Sequence, residues 1–517
     1  MNIMKNKFLY IIMLMASLSA CKKDFLNLVP DTSLSSASFF KNKSQFDQAV
    51  VAAYQPLRVI VHTGFYMDEM RSDNTFFTRY NANRGLETST ESLAEFLDDA
   101  NSSAQPNSPG NRYGNDYSGI ARVNTILTRI TTVDFAQSAK DSISGEALFL
   151  RAFYYYDLVQ HYGGVPLQLK ELTAPEQAFQ PRNTVDEVYK QIVTDLKAAI
   201  PLLPVVTTFP QSGRASKGAA KMLLAYAYMS QPTKDYPSAE TELLDITNMH
   251  YSLLPNYADI FDPANKNNAE SIFEVQYMSD LVSGQQSDFA WIFIPKTLNS
   301  EVLTGFHGST MNIFSGWNVP TQEMVDSYES GDQRLPASIA VVEGTISGVE
   351  DYTAKDIKSP VGFTPQPGLT NFYMIKKYFH PPYSIEFNTP DDWPVFRYSG
   401  ALLLLAECLV DENKAGDALP WLNLVRQRAG LAPLAQATAD NVANETRHEL
   451  AFENHRWTDL IRIGKAIDVL NAKGVTLKAL YGWLLPTSFI VNEDKLVYPL
   501  PYREIQINTK LTQNHGY

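Results

Sequence analysis

The sequence predicts a mostly α-helical protein: a tetratricopeptide-like scaffold of helix pairs with an irregular loop-rich face and a few short strands. Segments of helical periodicity recur in pairs of about 34 to 40 residues, the length of a helix-pair repeat. Between residues 251 and 383 short β-leaning runs replace the helical pattern. Small residues also stand where two helices would cross closely, at Ala219, Ala220, Ala225, Ala227, Ala401 and Ala406.

The first predicted helix spans residues 35–57, where Phe39, Phe46 and Val50 recur at helical spacing. From about residue 63 to residue 114 the periodicity is lost among Asn, Ser, Asp and Gly, with aromatic residues scattered through the segment. Long polar loops of this kind are usually functional or disordered. The sequence therefore predicts a long loop after the first helix, with both alternatives open.

The later helices are predicted from periodicity together with end signals. Gly163-Gly164 followed by Pro166 ends one helix, and the run from Thr184 to Glu187 has the form of a capping box that begins another. The predicted segments are residues 113–130 with 142–162, 184–203 with 216–229, 396–410 with 415–429, and 444–463.

The middle of the chain predicts loops and short strands laid over the helical scaffold. Residues 271–277 and 290–294 are β-leaning runs that stand among Gly, Pro and Asn, and residues 321–328 form the longest helical stretch in this region.

The composition indicates a globular protein and disfavours nucleic-acid binding. Of 517 residues, 44% are hydrophobic and 19% charged, which can build a large core. The 56 acidic residues outnumber the 43 basic ones, for a net charge of −13, so the chain lacks the basic footprint that a phosphate backbone requires. Aromatic residues make up 12%, a surplus that suits either the core or surfaces that stack on flat ligands.

The first 20 residues predict a secretory signal. Lys5 and Lys7 precede an apolar run too short to span a bilayer of roughly 30 Å. The sequence Leu18-Ser-Ala-Cys21 resembles a bacterial lipobox, in which the cysteine takes acyl chains; an ordinary signal with an incidental cysteine is the alternative. We predict a lipid-anchored tether over 21–34 and one domain over 35–517, with helical scaffold at about 35–250 and 390–517 and a loop-rich insertion at about 251–390.

The motifs of common enzymes are absent from the sequence. His448-Glu449 begins like a zinc-protease motif, but Phe452 stands where the second histidine ligand is needed. Cys408 lies in an apolar run and is predicted to be a buried hydrophobe. We therefore predict no enzyme activity, no metal and no cofactor, although glycosidase carboxylates leave no general sequence signature and a hydrolase stays open.

Seven blocks, found in the order that is typical of the family, together resemble the SusD/RagB family of outer-membrane nutrient-binding lipoproteins. The most characteristic runs from Gly145 to Leu167 and ends in the double glycine. The blocks are residues 145–167, the set Tyr117, Ile120 and Asn124, residues 182–196 with 213–220, residues 320–334, residues 397–407, residues 447–460, and residues 499–517.

The resemblance implies a helical tetratricopeptide-like scaffold, no catalysis and a SusC-like TonB-dependent β-barrel as partner. It also implies an outer-membrane lipoprotein on the cell exterior, although Lys22 and Lys23 follow Cys21 where family members often carry acidic residues. The charged residues of the family blocks are predicted to hold helices together: Arg151 and Asp157 lie on the helix that ends at the double glycine, and Arg447, Glu449, Glu453 and Arg456 include three- and four-residue spacings that suit ion pairs.

The resemblance places the ligand on the irregular face, on the loops at residues 63–114 and 279–317. Sugars need aromatic platforms rimmed by polar groups. For Trp291 a core position is the alternative, because Ile292 and Phe293 follow it. The predicted function is oligosaccharide capture for import; a surface glycoside hydrolase or a peptide-binding import protein is the alternative. The predicted ligand-binding residues are Asp73, Asn74, Phe76, Phe77, Arg79, Tyr80, Trp291, Trp317 and Asn318.

Overall fold

The computed structural model describes residues 39–78, 87–100, 108–279, 284–308, 315–347 and 351–517. The predicted signal and tether with Cys21 lie outside these ranges, as do Arg79 and Tyr80.

The first half of the chain is a succession of helices, of which the last five, from Pro109–Arg129 to Tyr236–Thr247, each pack on the next in the sequence. α4 packs on α5, α5 on α6, α6 on α7, and α7 on α8. A π-helical turn at Phe65–Glu69 follows α2. The bounds are Lys43–Ala53 (α1), Pro56–Gly64 (α2), Glu87–Ala94 (α3), Pro109–Arg129 (α4), Gln137–Tyr162 (α5), Val185–Ala199 (α6), Lys217–Ser230 (α7) and Tyr236–Thr247 (α8).

The predicted end signals of these helices are confirmed. α5 stops at Gly163, whose φ of +70° is a conformation that glycine adopts without strain. At the start of α6 the Thr184 hydroxyl accepts from the Glu187 amide (3.3 Å), and the Glu187 carboxylate accepts from the Thr184 amide (2.8 Å). This reciprocal pair satisfies amides that have no partner inside the helix.

Within the described ranges, the middle of the chain takes part in three small sheets and contains four short α-helices, as the loss of helical periodicity predicts. The run at 290–294 is nevertheless helical, so its β-leaning prediction was wrong; its buried aromatic residues suit either structure. The short helices are Phe289–Phe293 (α9), Glu301–Thr304 (α10), Gln322–Asp326 (α11) and Arg334–Ser338 (α12). The strands, with β1 preceding α3, are Thr75–Phe76 (β1), Ser271–Val275 (β2), Val319–Pro320 (β3), Ile339–Ser347 (β4), Asp351–Lys358 (β5), Thr370–Ile375 (β6) and Trp393–Arg397 (β7).

All strand pairs are antiparallel: β1 with β3, β2 with β7, and β4 between β5 and β6. The β1–β3 pair is only two residues long and aligns Phe76 with Val319. It joins the loop after the first helices to the middle region, two segments that are almost 250 residues apart in the chain.

The last part of the chain returns to helices. The single helix predicted at 444–463 is two helices, because Phe452 and Asn454 adopt positive φ angles of 65° and 62° that an α-helix does not accommodate. The helices are Tyr398–Asp411 (α13), Ala415–Arg428 (α14), Ala439–Glu449 (α15), Arg456–Arg462 (α16), Ala466–Leu480 (α17) and Tyr502–Ile507 (α18). None of the helices in the described ranges is long and apolar enough to cross a membrane.

One large core runs through the helices, and a smaller one lies around Trp291 between α9 and the β5-β4-β6 sheet. The alanines predicted at helix crossings are fully buried in α7 and α13. A substitution to a larger residue there would push the packed helices apart.

A buried cluster of charged groups, here called the ionic network, crosses the large core. Arg397 donates to Glu270 (2.7 Å), Glu449 (2.9 Å) and Glu453 (2.8 Å). The structural role predicted for the charged family residues is thus confirmed, but their partners lie on other segments rather than one helical turn away. The network consists of Glu270, Arg334, Lys377, Arg397, Arg428, Glu445, Glu449 and Glu453.

Candidate functional site

Five aromatic side chains gather into one surface feature, here called the aromatic patch: Phe76, Phe77, Trp317, Tyr481 and Trp483. The ring of Phe76 is nearly parallel to that of Trp483, with an interplanar angle of 12° and 6.1 Å between centroids, and lies 6.1 Å from Tyr481. Phe77 contacts Trp483 at 5.7 Å and Trp317 at 5.9 Å. The patch therefore joins three segments that are distant in the sequence.

The β1–β3 pair brings Trp317 to the patch. The amide of Thr78 donates to the Gly316 carbonyl (2.9 Å), which extends the pairing beyond β1. Trp317 then packs edge-on against Tyr66 at 5.6 Å. A two-residue strand is enough because the segments on both sides of it are anchored in the large core.

The segment after α17 supplies the other two rings. α17 ends at Leu480, and Tyr481 and Trp483 follow on either side of Gly482. Their ring centroids are 5.6 Å apart with 31° between the planes. Tyr481 is 39% exposed and Trp483 partly exposed, whereas Phe76 and Phe77 beneath them are each only 4% exposed. Buried rings thus support exposed ones.

A close approach of backbones fixes α17 against this support. A Cβ at Gly474 would lie 2.3 Å from the Cβ of Phe489, and Phe489 packs on Phe76 at 5.8 Å. Only glycine allows the helix to come so near.

Lys473, also on α17, lies beneath the patch. Its ammonium donates to the carbonyls of Ser72, Thr75 (2.7 Å) and Met70 (3.5 Å) and stands 5.4 Å from the Phe76 ring centroid. Burial lowers the pKa of Lys473 to about 7. Burial also raises the pKa of nearby Glu69 to about 7, although the hydrogen bond that Glu69 accepts from Asn74 acts to lower it.

The predicted polar site residues are buried under the patch rather than exposed at its rim. Asn74 accepts from Arg447 (2.9 Å) and donates to Glu69 (2.9 Å). Asn318 accepts from the Thr75 hydroxyl (2.8 Å) and donates to the Phe65 carbonyl (2.7 Å). Their hydrogen-bonding groups hold the loop and the strand pair together, so the expectation that they face sugar hydroxyls does not match this structure.

Asp73 is likewise engaged in the fold. Its carboxylate accepts from Arg456 (2.7 Å) and contacts Arg447 (3.1 Å). Burial acts to raise the pKa of Asp73, but the two guanidinium groups outweigh it and hold the pKa well below its usual value. Arg447 also binds Glu323, whose side chain is 60% exposed. Glu323 is therefore the part of this chain of charges that reaches solvent.

Trp291 does not belong to the patch. It is fully buried in the smaller core, against Phe387 (5.1 Å), Tyr383 (6.0 Å) and Phe306 (6.2 Å). A stacking platform needs an open ring face. The core alternative therefore describes Trp291, whereas Trp317 keeps a partly exposed ring.

The sequence prediction missed Tyr481 and Trp483. Two aromatic residues around a glycine, directly after a helix and before Leu484-Leu485-Pro486, were the available signal. Of the remaining predicted site residues, Phe76, Phe77 and Trp317 are brought together, and the glycan role of Arg79 and Tyr80, outside the described ranges, stays a prediction.

The residues that begin like a zinc-protease motif serve the scaffold. His448 stacks on Tyr328 at 4.5 Å and its Nε2 lies 2.9 Å from the Ser327 hydroxyl. Burial, together with Arg334 and Arg447, lowers its pKa to about 3. Within the described part of the chain, no group of three or more His, Cys, Asp or Glu side chains is arranged to hold a metal ion.

Two family models match the chain over most of its length. One, described as "SusD family", covers residues 269–517, and the other, "Starch-binding associating with outer membrane", covers residues 24–229. The two matches follow each other without overlap.

The chain belongs to the SusD family.

Relatives and solved structures agree with this membership of the SusD family. "SusD-like protein P25" of Formosa agariphila is 25% identical, and the alignment covers 99% of both chains. "Starch-binding protein SusD" of Bacteroides thetaiotaomicron is 24% identical over 72% of each. The structure of "Surface glycan-binding protein A from Bacteroides thetaiotaomicron in complex with laminarihexaose" is 24% identical, with a TM-score of 0.71 over 91% of this chain and 99% of that one. The predicted fold class, helical and tetratricopeptide-like, is confirmed.

Proposed function

We propose that the protein is a non-catalytic cell-surface lipoprotein of the outer membrane that binds oligosaccharides or polysaccharide through the aromatic patch. It then delivers them to a SusC-like TonB-dependent transporter for import. The observation that carries the proposal is the set of partly exposed rings of Tyr481, Trp483 and Trp317, held on two buried phenylalanines.

The physical basis is the match between aromatic faces and sugar rings. A pyranose presents apolar C–H groups on its faces, and an aromatic ring presents a negative face that attracts them. Because Phe76 already packs against Tyr481 and Trp483, the exposed rings lose little freedom when a ligand arrives. A preorganised platform therefore favours binding.

Family membership supports the choice of ligand class and location. One relative is named as starch-binding, one solved structure of similar fold holds laminarihexaose, and the matching family model is described as associating with the outer membrane. We therefore favour a glycan over a peptide.

A glycan screen tests the proposal. Purified protein is run through gels that contain laminarin, starch, xylan or mannan, and the retained glycans are titrated by calorimetry. We expect retention by at least one glycan and no release of reducing ends. New reducing ends would favour the hydrolase alternative, and retention by none, with binding of a mixed peptide library, would favour the peptide alternative.

A pair of tyrosine variants locates the site in the same assay. Tyr481→Ala should weaken glycan binding several-fold, since it removes one exposed ring of the patch. Tyr502→Ala on α18, with an exposed fraction of 49%, is the matched control and should bind as the parent does. Equal affinities in the parent and both variants would place the site elsewhere.

Lipid anchoring at Cys21 and the partner are tested separately. Each acyl CH₂ that enters a bilayer contributes about 0.8 kcal/mol, so several chains hold the protein firmly. Cys21→Ser should release the protein from the membrane fraction or leave its signal uncut. A serine variant that is both normally processed and still membrane-bound would contradict the lipid anchor.

The transporter partner is tested by pull-down. A stable interface between the lipoprotein and its transporter buries about 1,200–2,000 Å² or more, so pull-down from mild detergent should recover a TonB-dependent β-barrel. Repeated recovery of the lipoprotein alone would contradict the transporter partner.

A further inference from the structure

The aromatic patch has two halves with separate supports. In one half, Phe76 ends β1 and Phe77 follows it, with Trp317 packed against Phe77; in the other half, Tyr481 and Trp483 follow α17. The halves are about 400 residues apart in the chain, since the contact between Lys473 and Thr75 spans 398 positions. Their relative position therefore depends on tertiary contacts.

Lys473 makes the polar contact between the two halves. It lies on α17, two turns before Tyr481. Its ammonium donates to the carbonyls of Met70 and Ser72, in the loop that leads into β1, and of Thr75, the first residue of β1. The side chain is held under the rings of Phe76 (5.4 Å) and Phe489 (5.5 Å). Three carbonyl acceptors match the three N–H donors of an ammonium.

We propose that Lys473 is a positioning residue that fastens the two halves of the aromatic patch in the geometry that binds glycan, and that loss of its proton loosens the patch. A neutral amine keeps two N–H donors and turns its lone pair towards the third carbonyl. The hydrogen bonds between Lys473 and the loop before β1 are then weaker, and the ring of Phe76 can shift relative to that of Trp483.

The surroundings of Lys473 place this change in the neutral range. Burial lowers its pKa to about 7, while Asp73, Glu69 and Glu323 act to raise that pKa and Arg447 to lower it. The ammonium form therefore prevails below about pH 7 and the neutral amine above it. Glu69 titrates in the same range, so the two groups must be told apart.

The first test needs no ligand. The protein contains six tryptophans, and ¹⁹F NMR of the 5-fluorotryptophan protein, with Trp483→Phe to assign the signal, reports on the patch. We expect the Trp483 resonance to shift with a midpoint near pH 7 between pH 5.5 and 8.5. The shift should persist in Glu69→Gln and be absent in Lys473→Met. Lys465→Met, at an exposed position just before the same helix, is the control and should titrate as the parent does.

The second test rests on the proposed function and uses laminarihexaose as the probe. The parent should bind it about three- to tenfold more weakly at pH 8.5 than at pH 6, and Lys473→Met should bind weakly at both pH values. A resonance that does not titrate in the parent, or that titrates in Lys473→Met but not in Glu69→Gln, would overturn the inference even if Lys473→Met could not be folded. A titrating resonance without binding of any glycan in the screen would instead contradict the proposed function.

Discussion

The ionic network buries charged side chains, whereas the aromatic patch keeps the rings of Trp317, Tyr481 and Trp483 at least partly exposed. Arg397 and Glu449 of the network are at most 2% exposed, whereas Tyr481 of the patch is 39% exposed. Charged residues thus fill part of the core, and aromatic residues stay partly at the surface. The comparison shows that the neighbouring side chains decide where each residue type is tolerated. A buried charge is tolerated where several opposite charges contact it, and an exposed ring is tolerated where buried rings pack beneath it.

Two polar residues lie between the ionic network and the aromatic patch. Asp73 and Asn74 directly precede the patch in the sequence, but Asn74 accepts a hydrogen bond from Arg447 and Asp73 accepts one from Arg456, so both side chains are buried. The same short loop therefore supplies ion-pair partners to the scaffold and rings to the surface. This is why the polar residues of the predicted site serve the scaffold, whereas Phe76, Phe77 and Trp317 form part of the aromatic patch.

The largest effect we expect breaks the ionic network. Arg397→Met should lower the free energy of unfolding by about 3–5 kcal/mol, because Glu270, Glu449 and Glu453 would be left as buried charges with fewer partners. Urea denaturation measures the change. Lys414→Met, which breaks the surface pairs with Glu240 and Glu412, is the control and should change stability far less, because solvent screens these charges. Equal losses in the two variants would contradict the distinction by depth.

A smaller loss of stability should follow acidification. Burial acts to raise the pKa of Glu449 and Glu453, but Arg428 and Arg397 outweigh it at Glu449, and Arg397 and Lys377 outweigh it at Glu453, so both pKa values lie below normal. The stability from these carboxylates is present above the unfolded-state pKa near 4.5 and is lost as the pH falls below it.

Urea midpoints between pH 6 and pH 3 measure this loss. Glu449→Gln, already less stable at pH 6, should lose less on acidification than the parent does. A midpoint of the parent that does not move over this range would show that the network gains nothing from ionisation.

Removal of an exposed ring should affect binding and spare stability. Trp483→Ala should weaken glycan binding several-fold to tenfold, in line with the ~0.5–1.5 kcal/mol that aromatic contacts contribute beyond burial. The melting temperature should change little, because the ring is partly exposed. Trp421→Ala, a partly buried tryptophan on α14, serves as control for binding. A collapse of stability in Trp483→Ala would assign this ring to the core.

Trp317 should lie between the two regions in its behaviour. Its ring is partly exposed but packs edge-on against buried Tyr66 and contacts Phe77. Trp317→Ala should weaken glycan binding several-fold, with only a modest decrease in melting temperature. Calorimetry of both quantities on one preparation checks this, and an affinity equal to that of the parent would remove Trp317 from the site.

The smallest expected effect concerns Cys408 in the helical scaffold, which should not react with thiol reagents in the folded protein. Cys408 is fully buried on α13, and burial, with Glu412 nearby, raises its thiol pKa to about 12. We expect no labelling by a thiol reagent in the native protein and full labelling in urea. Rapid labelling without denaturant would show that α13 opens far more readily than the rest of the core.

The sequence by itself determined the helical fold class and where several helices end. Helix periodicity is local, and so are the signals at Gly163 and Thr184, which act on amides and carbonyls within one turn. It also determined that the charged residues of the family blocks are structural. Their partners could not be named, because Arg397 meets Glu270 and Glu449 across 127 and 52 positions of the chain.

Only the tertiary structure decided which aromatic residues form the patch. Tryptophan suits both a core and a surface, so the apolar neighbours of Trp291 left open whether its ring is buried. Tyr481 and Trp483 join the patch through contacts with Phe76 and Phe77 across about 400 residues of chain. Such contacts depend on how the packed helices bring the ends of distant loops together, and no local sequence pattern shows which distant segments will meet.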